Sequence, residues 1–371
     1  MDEERPPKFQ LCRFCADRQG AKLPLAPRED DCFICEGISG DLGGITKKTL
    51  SSLARFEFRT FSVGLILPQG VQEREDSLRS ELKIRGGETI KSELANRMAH
   101  DVAQSLGGKR NRRKVDRLHP DATVLVDISN GSVAVTSKPL FLYGRYTKPR
   151  GVSQRRLFCE ECNGRGCDSC KGTGYSSLPS VEGLVSKKLG ALLGSKKFKF
   201  TWFGSEDPDS MVFPPGRPLV IESKNPRRRR APRELRFRTG KGNMSVSKVS
   251  VVTKKFDRPA FTFKTRAVIR AGRSVASEDV GRLQKEMKNA LVEYRNNKGR
   301  LVYKRVYFVR ARARGRKITA DIKLDGGLPV KRLVSGEAVS PSFSESIDMP
   351  LRCERFDIMG VWPLNSRGRG A

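Results

Sequence analysis

The stretch Lys197–Glu222, KFKFTWFGSEDPDSMVFPPGRPLVIE, decides the fold of this chain. Apolar residues alternate with basic or polar ones up to Trp202, and Gly204 ends that alternation. Three carboxylates follow within four residues: Glu206, Asp207 and Asp209. Because alternation with period two is typical of a strand, the stretch predicts a strand that ends in an acidic loop.

The second half of the stretch predicts a stiff turn and then a buried strand. Pro214–Pro218 contains three prolines, and Leu219–Ile221 is apolar. Arg217 therefore lies ten residues after Asp207, at the start of the next strand. A carboxylate and a cation at the ends of two core strands predict a reactive site. An acidic loop that only balances a basic neighbour explains the same pattern equally well.

The chain has 371 residues, with 73 Lys and Arg against 41 Asp and Glu, and a net charge of +32. This excess extends along the whole length and costs self-repulsion in the folded state, so we expect an anionic partner, most commonly nucleic acid. No apolar run reaches the ~18–20 residues of a spanning helix, and the amino terminus lacks the pattern of a signal peptide. We therefore expect a cytoplasmic monomer that binds RNA and no membrane.

Eight of the nine cysteines form CxxC pairs, a spacing that predicts thiolate metal ligands in a reducing compartment and not disulfides. Sixteen residues separate the first two pairs, which supply four ligands for a tetrahedral zinc: Cys12, Cys15, Cys32 and Cys35. Zinc would replace a hydrophobic core in a module of residues 1–45, which is too short to build one.

The remaining pairs occur in the phrase CEECNGRGCDSCKGTG, residues 159–174. Their cysteines are Cys159, Cys162, Cys167 and Cys170. Glycines behind each pair let backbone N–H groups turn toward the sulfurs, so the phrase predicts a second structural zinc in a hinge of residues 151–178. The phrase resembles the zinc knuckles of a DnaJ-type cochaperone, but a cochaperone role leaves the arginine-rich strands described below unexplained.

Residues 46–150 predict an α/β domain suited to gripping RNA. Phe56–Leu67 alternates as a strand does, and apolar residues recur every fourth position from Ile90 to Leu106, as in an amphipathic helix. Asn130–Gly131 joins two short apolar runs and predicts a hairpin. The basic cluster Lys109–Lys114 is either a solvated loop or a phosphate contact.

Residues 179–364 predict a second domain built on a sheet, followed by a disordered tail of residues 365–371. Its predicted elements are a helix capped by Ser180, a helix that begins at Ser277 and extends to Tyr294, and strands at 197–202, 219–221, 260–270, 300–314, 317–324, 329–334 and 355–362. Arg310, Arg312 and Arg314 fall on one face of the long strand by period two, which favours RNA contact over plain solvation.

Several phrases resemble one family: the archaeal and eukaryotic tRNA pseudouridine synthases that modify T-arm uridine-54 and uridine-55. These phrases are Leu140–Tyr146 (LFLYGRY), the cysteine hinge, Gly204–Asp209 and Gly216–Pro218, and the resemblance extends from about Cys12 to Val361. It implies an α+β protein. A zinc-knuckle module and a THUMP-like α/β accessory domain would precede a mixed α/β catalytic domain with a central antiparallel sheet.

The resemblance also implies roles for individual residues. The motif Gly-Arg-Glu-Asp-x-Asp carries the catalytic aspartate after its glutamate, which is Asp207 here. Implied contacts to the RNA are Arg217, Thr265, Pro329 and Lys331, and the strand periodicity adds Arg310 and Arg312. The reaction needs one carboxylate near C1′ of the uridine, as nucleophile or as base for a glycal route, and no cofactor beyond the structural zinc.

Three positions depart from the family pattern. Ser205 stands where the motif has arginine, and Thr265 and Pro329 stand where two strands of the family carry tyrosine. Phe263 lies two residues from Thr265 and is a candidate replacement for the first ring. These differences leave two hypotheses: a divergent enzyme that acts on the T arm, or an inactive relative that binds tRNA as a chaperone.

Overall fold

Buried apolar side chains form two large cores in the computed structural model, which describes residues 8–20, 23–40, 42–107, 113–253, 260–296 and 299–364. The cores belong to two units, Met1–Pro139 with Lys224–Arg229 and Leu140–Ser223 with Arg230–Ala371. Most of the predicted basic cluster, residues 109–112, and the predicted tail lie outside the described residues.

The first unit places four α-helices around a four-stranded sheet. The helices are α1 (Arg13–Gln19), α2 (Gly43–Leu53), α3 (Val71–Glu81) and α4 (Ile90–Ser105), with a 3₁₀ turn at Glu29–Asp31. The strands are β1 (Thr60–Ile66), β2 (Lys114–Val115), β3 (Ala122–Asp127) and β4 (Ser132–Ser137), in the order β2-β1-β3-β4. Strand β1 runs parallel to both of its neighbours, and β3 pairs antiparallel with β4.

Two predictions for this unit are confirmed. Helix α4 buries its apolar face, and the Thr89 hydroxyl caps it by accepting a hydrogen bond from the Ser92 N–H at 3.2 Å. The predicted hairpin is β3 and β4, with Asn130 and Gly131 in its turn. Helix α3 was not predicted, because VQEREDSLRSE offers only two apolar residues to a pattern search.

Helix α3 is instead held by a buried carboxylate. Glu75 is only 1% exposed; it pairs with Arg18 and accepts hydrogen bonds from Gln19 Nε2 at 3.0 Å and from the Ile90 N–H at 2.9 Å. One side chain thereby ties α3 to α1 and to the first turn of α4. A buried charge of this kind is tolerated only when its hydrogen-bonding capacity is satisfied.

The second unit is an eleven-stranded mixed sheet with four helices. Its strands are β5 (Leu140–Lys148), β6 (Lys197–Trp202), β7 (Val212–Lys224), β8 (Leu235–Thr239), β9 (Gly242–Val252), β10 (Phe261–Ala271), β11 (Leu291–Arg295), β12 (Leu301–Arg314), β13 (Lys317–Asp325), β14 (Val339–Ser340) and β15 (Leu351–Pro363). Its helices are α5 (Val181–Leu193), α6 (Ser277–Glu286), α7 (Val330–Ser335) and α8 (Phe343–Ser346).

The strand order is β14-β11-β12-β13-β10-β15-β7-β5-β9-β8, with β6 paired to β7. Neighbours along this order are antiparallel except β15 and β7, which meet in parallel at Ile358 and Val212. The predicted central antiparallel sheet is therefore present. Two antiparallel halves join at β15 and β7, so the start of β7 lies at the junction of the sheet.

Several elements of this unit differ from the sequence expectation. Leu140–Lys148, predicted to end the accessory domain, pairs with β7 and β9 inside the second sheet. The helix expected to reach Tyr294 ends at Glu286, and Asn289 takes a left-handed φ of 58° before β11 begins. Residues 329–334, expected as a strand, form α7, because the buried positions in this run follow i, i+3, i+4 spacing.

The proline-rich segment also differs, because it lies within β7 and is not a turn between strands. Tyr146 pairs with Arg217 and Lys148 with Val212, so one residue of β5 lies opposite four residues of β7. The prolines at 214 and 215 fall in this bulge, where their lack of an N–H removes no ladder hydrogen bond.

None of the described helices combines the length and the apolar character that a transmembrane span requires.

Candidate active site

Asp207 lies on the loop between β6 and β7, half-exposed, with its Oδ2 2.7 Å from Lys331 Nζ. Lys331 belongs to the first turn of α7, which packs against β15. Both side chains keep contact with solvent, at 43% exposure for Asp207 and 53% for Lys331. The sequence-predicted catalytic carboxylate and the predicted lysine are thus in direct contact, and both are accessible to a solute.

The adjacent carboxylate, Glu206, has a different environment. Its side chain is fully buried and forms an ion pair with Arg217, which is itself buried. Glu206 also accepts hydrogen bonds from Tyr146 Oη at 2.6 Å and from Gln154 Nε2 at 3.3 Å, and Arg217 Nε donates to the Phe203 carbonyl at 2.7 Å. The residue before Asp207 is therefore fixed by three buried partners, Arg217, Tyr146 and Gln154.

Tyr146 is wholly buried, and burial raises its pKa well above the ordinary value. The phenol therefore stays protonated and donates to Glu206, while it accepts from Gln154 Nε2 at 2.8 Å. Gln154 Nε2 also donates to the Gly204 carbonyl at 3.1 Å. These contacts bind both ends of the turn between β6 and Asp207.

Lys148 lies beneath the acidic loop and is only 2% exposed. Its ammonium donates to the carbonyl oxygens of Asp207 and Pro208, both at 3.2 Å, and to that of Ser210. Burial lowers the pKa of Lys148 to about 8. The single ammonium group thus binds three carbonyl oxygens of the loop and fixes the backbone that carries Asp207.

The far side of the loop is held by Asp357 of β15. One Asp357 oxygen accepts from the Met211 N–H at 2.9 Å, and the other accepts from Arg150 at 2.7 Å. Arg150 also donates to the Asp209 carbonyl at 2.8 Å, and the Gly151 N–H donates to the Pro208 carbonyl at 3.1 Å. The loop backbone is bound from both sides, while the Asp207 carboxylate stays accessible.

Gly204 shows why the alternation of β6 ends where it does. Its φ is +84°, in the left-handed region that favours glycine. A Cβ at this position would also overlap the Arg217 guanidinium and approach the ring of Phe261 to 3.0 Å. The buried ion pair therefore requires glycine at position 204.

Two of the predicted RNA contacts are buried in this structure. Arg217 is 1% exposed and serves Glu206, and Thr265 is fully buried with its hydroxyl donating to the Asp357 carbonyl at 2.8 Å. Pro329 precedes α7 as its N-cap residue and thus starts the helix that carries Lys331. Phe263, the candidate replacement ring, is 5% exposed. Arg217, Thr265 and Phe263 therefore offer no open surface beside Asp207.

Arg310 and Arg312 are exposed on β12, together with Arg314. The strand register places Arg310 opposite Asp321 and Asp321 opposite Arg266. Arg266 binds Asp321 through two hydrogen bonds, of 2.7 and 3.1 Å. The predicted row of arginines is thus present, on a sheet face that continues across β13 to β10.

Sequence reasoning missed Tyr146, Lys148 and Gln154. Tyr146 lay in the quoted phrase LFLYGRY, but nothing in the sequence pairs it with a carboxylate sixty positions later. A lysine at the end of a strand is usually solvated, so nothing in the sequence indicated that Lys148 is buried. Only the fold brings these residues together.

The cysteines converge as two clusters of four, with the sulfur atoms of each cluster within 4.8 Å of one another. Sulfur pairs lie 3.6 Å apart for Cys12 and Cys35, and 3.8 Å apart for Cys162 and Cys170. The edge of a tetrahedron with Zn–S bonds of ~2.3 Å is about 3.8 Å. Both clusters therefore fit zinc in size and in donor type.

Backbone N–H groups in the second cluster point at sulfur. Gly166 donates to Cys162 Sγ, and Cys167 and Gly174 both donate to Cys170 Sγ, each at 3.2 Å. The hydrogen bond from the Cys167 N–H lowers the pKa of Cys170 to about 6. The N–H groups of Gly166 and Gly174 thus turn toward sulfur, as predicted for the glycines. Hydrogen bonds to sulfur favour the thiolate form that a metal requires.

A half-exposed carboxylate on a loop at the junction of a mixed sheet is what the resemblance to the pseudouridine synthase class leads us to expect. Two family models match the chain: Pus10 THUMP domain, archaeal, over residues 45–127, and Pus10, C-terminal, over residues 141–361. The second match covers more than half of the sequence. The chain belongs to the Pus10 family, and the predicted family is confirmed.

Curated relatives support this assignment over nearly the full length. The tRNA pseudouridine synthase Pus10 of Nitrosopumilus maritimus is 30% identical, with 95% of this chain and 95% of that protein covered. The protein of the same name from Archaeoglobus fulgidus is 30% identical over 95% of this chain and 100% of its own. That from Korarchaeum cryptofilum is 31% identical over 90% and 94%.

Replacement of Glu206 tests the buried ion pair. We expect Glu206→Gln to lower the free energy of unfolding of the second unit by about 3–5 kcal/mol, because it leaves the Arg217 charge buried without a counter-ion. The matched control is Glu234→Gln, which breaks an exposed pair with Arg236 and should cost less than about 1 kcal/mol. Urea denaturation measures both, and equal effects would contradict the assignment.

Proposed function

We propose that this chain is a tRNA pseudouridine synthase that isomerises uridine-54, uridine-55 or both in the T arm. The single observation that carries the proposal is the half-exposed Asp207 carboxylate, paired with Lys331 on a loop whose backbone is held by Lys148 and Arg150. Family membership supplies the reaction, since the curated relatives that match nearly the whole chain are named for it.

The residues of this chain can supply the groups that the isomerisation of uridine needs. The C1′–N1 bond of the uridine breaks, the uracil turns, C5 forms the new bond to C1′, and the C5 proton is lost while N1 gains one. Asp207 acts at C1′, either as the nucleophile that holds the ribose or as the base that takes a proton for a glycal route. Lys331 orients the carboxylate, and the buried frame below it keeps this geometry fixed.

The RNA partner is proposed from charge and from the demands of the reaction. A uridine in a structured tRNA must leave its stack to reach Asp207, at a cost of a few kcal/mol. Phosphate contacts offset that cost, and the exposed Arg310 and Arg312 on the open face of β12 suit this role. We propose that the protein acts on tRNA as a cytoplasmic monomer.

One set of observations favours a second function, that of an inactive tRNA-binding chaperone. Neither Thr265 nor Pro329 supplies an aromatic ring, and Phe263 is buried. A target base would then lack the ring on which the family stacks it. The sheet face that carries Arg310 and Arg312 would then bind tRNA without catalysis.

We further propose that each cysteine cluster holds one structural zinc ion. Cys12, Cys15, Cys32 and Cys35 would bind the first, and Cys159, Cys162, Cys167 and Cys170 the second. Such a site supplies folding energy to a short segment and takes no part in the chemistry at Asp207.

Replacement of Asp207 tests the activity. We expect Asp207→Asn to abolish pseudouridine in the T arm of an unmodified tRNA transcript, because an amide cannot act as nucleophile or base at C1′. Asp209→Asn, on the same loop with an exposed side chain, is the matched control and should retain most activity. Site-resolved pseudouridine mapping measures both. A wild-type protein that binds tRNA in a salt-sensitive way and forms no pseudouridine would favour the chaperone instead.

Lys148 predicts a pH dependence. Its folded-state pKa of about 8 lies below that of an unfolded lysine, so the folded protein loses this proton first as the pH rises. Burial of the charged form costs stability below pH 8, and that cost is relieved between about pH 8 and 10.5. Loss of the charge weakens the three carbonyl contacts, so we expect the single-turnover rate to fall as the pH rises through about 8.

The variant Lys148→Met isolates this effect, because it keeps the length of the side chain and removes the charge. We expect a rate about tenfold lower, since a hydrogen bond to a charged group contributes about 1.5–3 kcal/mol. The fall above pH 8 should also disappear. Rapid-quench measurements from pH 7 to 9 test this, and an unchanged inflection in the variant would assign it to another group.

Metal content tests the zinc sites. We expect elemental analysis of the purified protein to give two zinc ions per chain, and Cys15→Ser and Cys162→Ser to lose one each. The control is Cys353→Ser, since Cys353 is buried in β15, belongs to neither cluster and has its thiol near the Arg355 carbonyl. A wild-type protein with no bound zinc would refute the proposal.

A further inference from the structure

Beside the second cysteine cluster, two aromatic rings stack on the protein surface. Phe158 and Tyr175 have ring centroids 5.7 Å apart and planes inclined by 14°. Phe158 is 61% exposed and Tyr175 38%. The Arg156 guanidinium carbon lies 5.4 Å from the centroid of Tyr175, which adds a cation to the stack. We call Arg156, Phe158 and Tyr175 the aromatic stack.

The local backbone explains why the two rings meet. Phe158 and Tyr175 face each other in an isolated antiparallel bridge that closes the base of the cysteine cluster. The Cys159 N–H donates to the Gly174 carbonyl at 3.0 Å, and the Ser176 N–H to the Leu157 carbonyl at 2.9 Å. Gly164 lets the ring of Phe158 lie close, since a Cβ there would come within 2.9 Å of it.

Closure of the cluster does not explain the exposure of the rings. A purely structural pair would gain more by burying its apolar surface, yet more than half of Phe158 faces solvent. Leu157, next to it, is 42% exposed. These exposed apolar side chains are available for contact with a binding partner.

The stack is attached to the frame of the active site. Gln154, four residues before Phe158, donates to Glu206 at 3.3 Å, and Glu206 directly precedes Asp207. Four residues reach at most about 14 Å when fully extended. On the other side, Glu182 of α5 accepts from the Arg156 N–H at 3.1 Å, which fixes the base of the stack.

We propose that the aromatic stack binds an unpaired nucleobase of the same RNA whose uridine reacts at Asp207, an inference that rests on the proposed function. Exposed rings with a guanidinium are the usual platform for unstacked bases, because every base presents a π face. The neighbouring exposed Arg155 and Arg156 complement an RNA backbone. Flipping one uridine leaves its neighbours unstacked, so a second platform nearby lowers the cost of that step.

The test compares the affinity of holo-protein variants for an unmodified tRNA transcript over a range of salt concentrations. Phe158→Leu removes the ring and keeps apolar volume, so we expect the affinity to fall about tenfold at every salt concentration. The slope of log Kd against log salt should stay unchanged, because that slope counts phosphate contacts and not stacking. Phe158→Trp should bind as the wild type does.

Leu157→Ala is the matched control, since it removes neighbouring exposed apolar surface without a ring, and it should bind as the wild type does. Equal weakening by Leu157→Ala and Phe158→Leu would overturn the stacking role, and so would wild-type affinity in Phe158→Leu. Zinc content and thermal unfolding report whether a variant has lost the fold of the cluster.

A photo-crosslinking residue at position 158 provides a second measurement that does not depend on a truncated side chain. A crosslink to a nucleotide of the transcript supports the proposal. A crosslink only to protein, or none to RNA under conditions of full binding, overturns it and assigns the rings to a protein partner.

Pseudouridine mapping on the wild type separates the two proposals. If the wild type forms pseudouridine and Phe158→Leu matches it in affinity and rate, the stacking proposal fails and the proposed function stands. If the wild type forms none, the proposed function fails, whatever the affinity of Phe158→Leu shows.

Discussion

The buried ion pair between Glu206 and Arg217 is the interaction on which the candidate active site depends. Two charges removed from water cost several kcal/mol each, and only close pairing with further hydrogen bonds recovers that cost. Tyr146, Gln154 and the Phe203 carbonyl supply those bonds. The pair therefore exists only when β5, β6 and β7 are all in place, so the chain cannot present Asp207 without first completing this part of the sheet.

The same constraint explains the unusual residues around the loop. Glycine is required at position 204 because a Cβ would displace Arg217, and the bulge at 213–216 brings Arg217 back into register with Tyr146. Lys148 meets the carbonyls because β5 ends directly beneath the loop. Charged groups with satisfied partners thus replace the regular hydrogen bonding that the loop lacks.

Patterns local in sequence predicted a substantial part of this structure. The strand before the acidic loop, the hairpin at Asn130–Gly131 and the two cysteine clusters all follow from spacing over a few residues. The pairing of β5 with β7 and β9 could not be predicted, because it joins segments about seventy to a hundred residues apart. The burial of Lys148 could not be predicted either, because its partners lie some sixty residues away in the sequence.

Two cations of the site, Arg217 and Lys331, have different environments. This difference is relevant to position 205, where Ser205 replaces the arginine of the family motif. Arg217 is buried and forms an ion pair with Glu206, so it cannot contact a substrate. Lys331 is half-exposed on a short helix, 2.7 Å from Asp207, and is accessible to a solute. Ser205 is exposed and brings no cation to the carboxylate, but Lys331 provides one on the accessible side. A cation therefore lies beside Asp207 without the motif arginine, and the buried pair of Glu206 and Arg217 fixes the loop that carries Asp207.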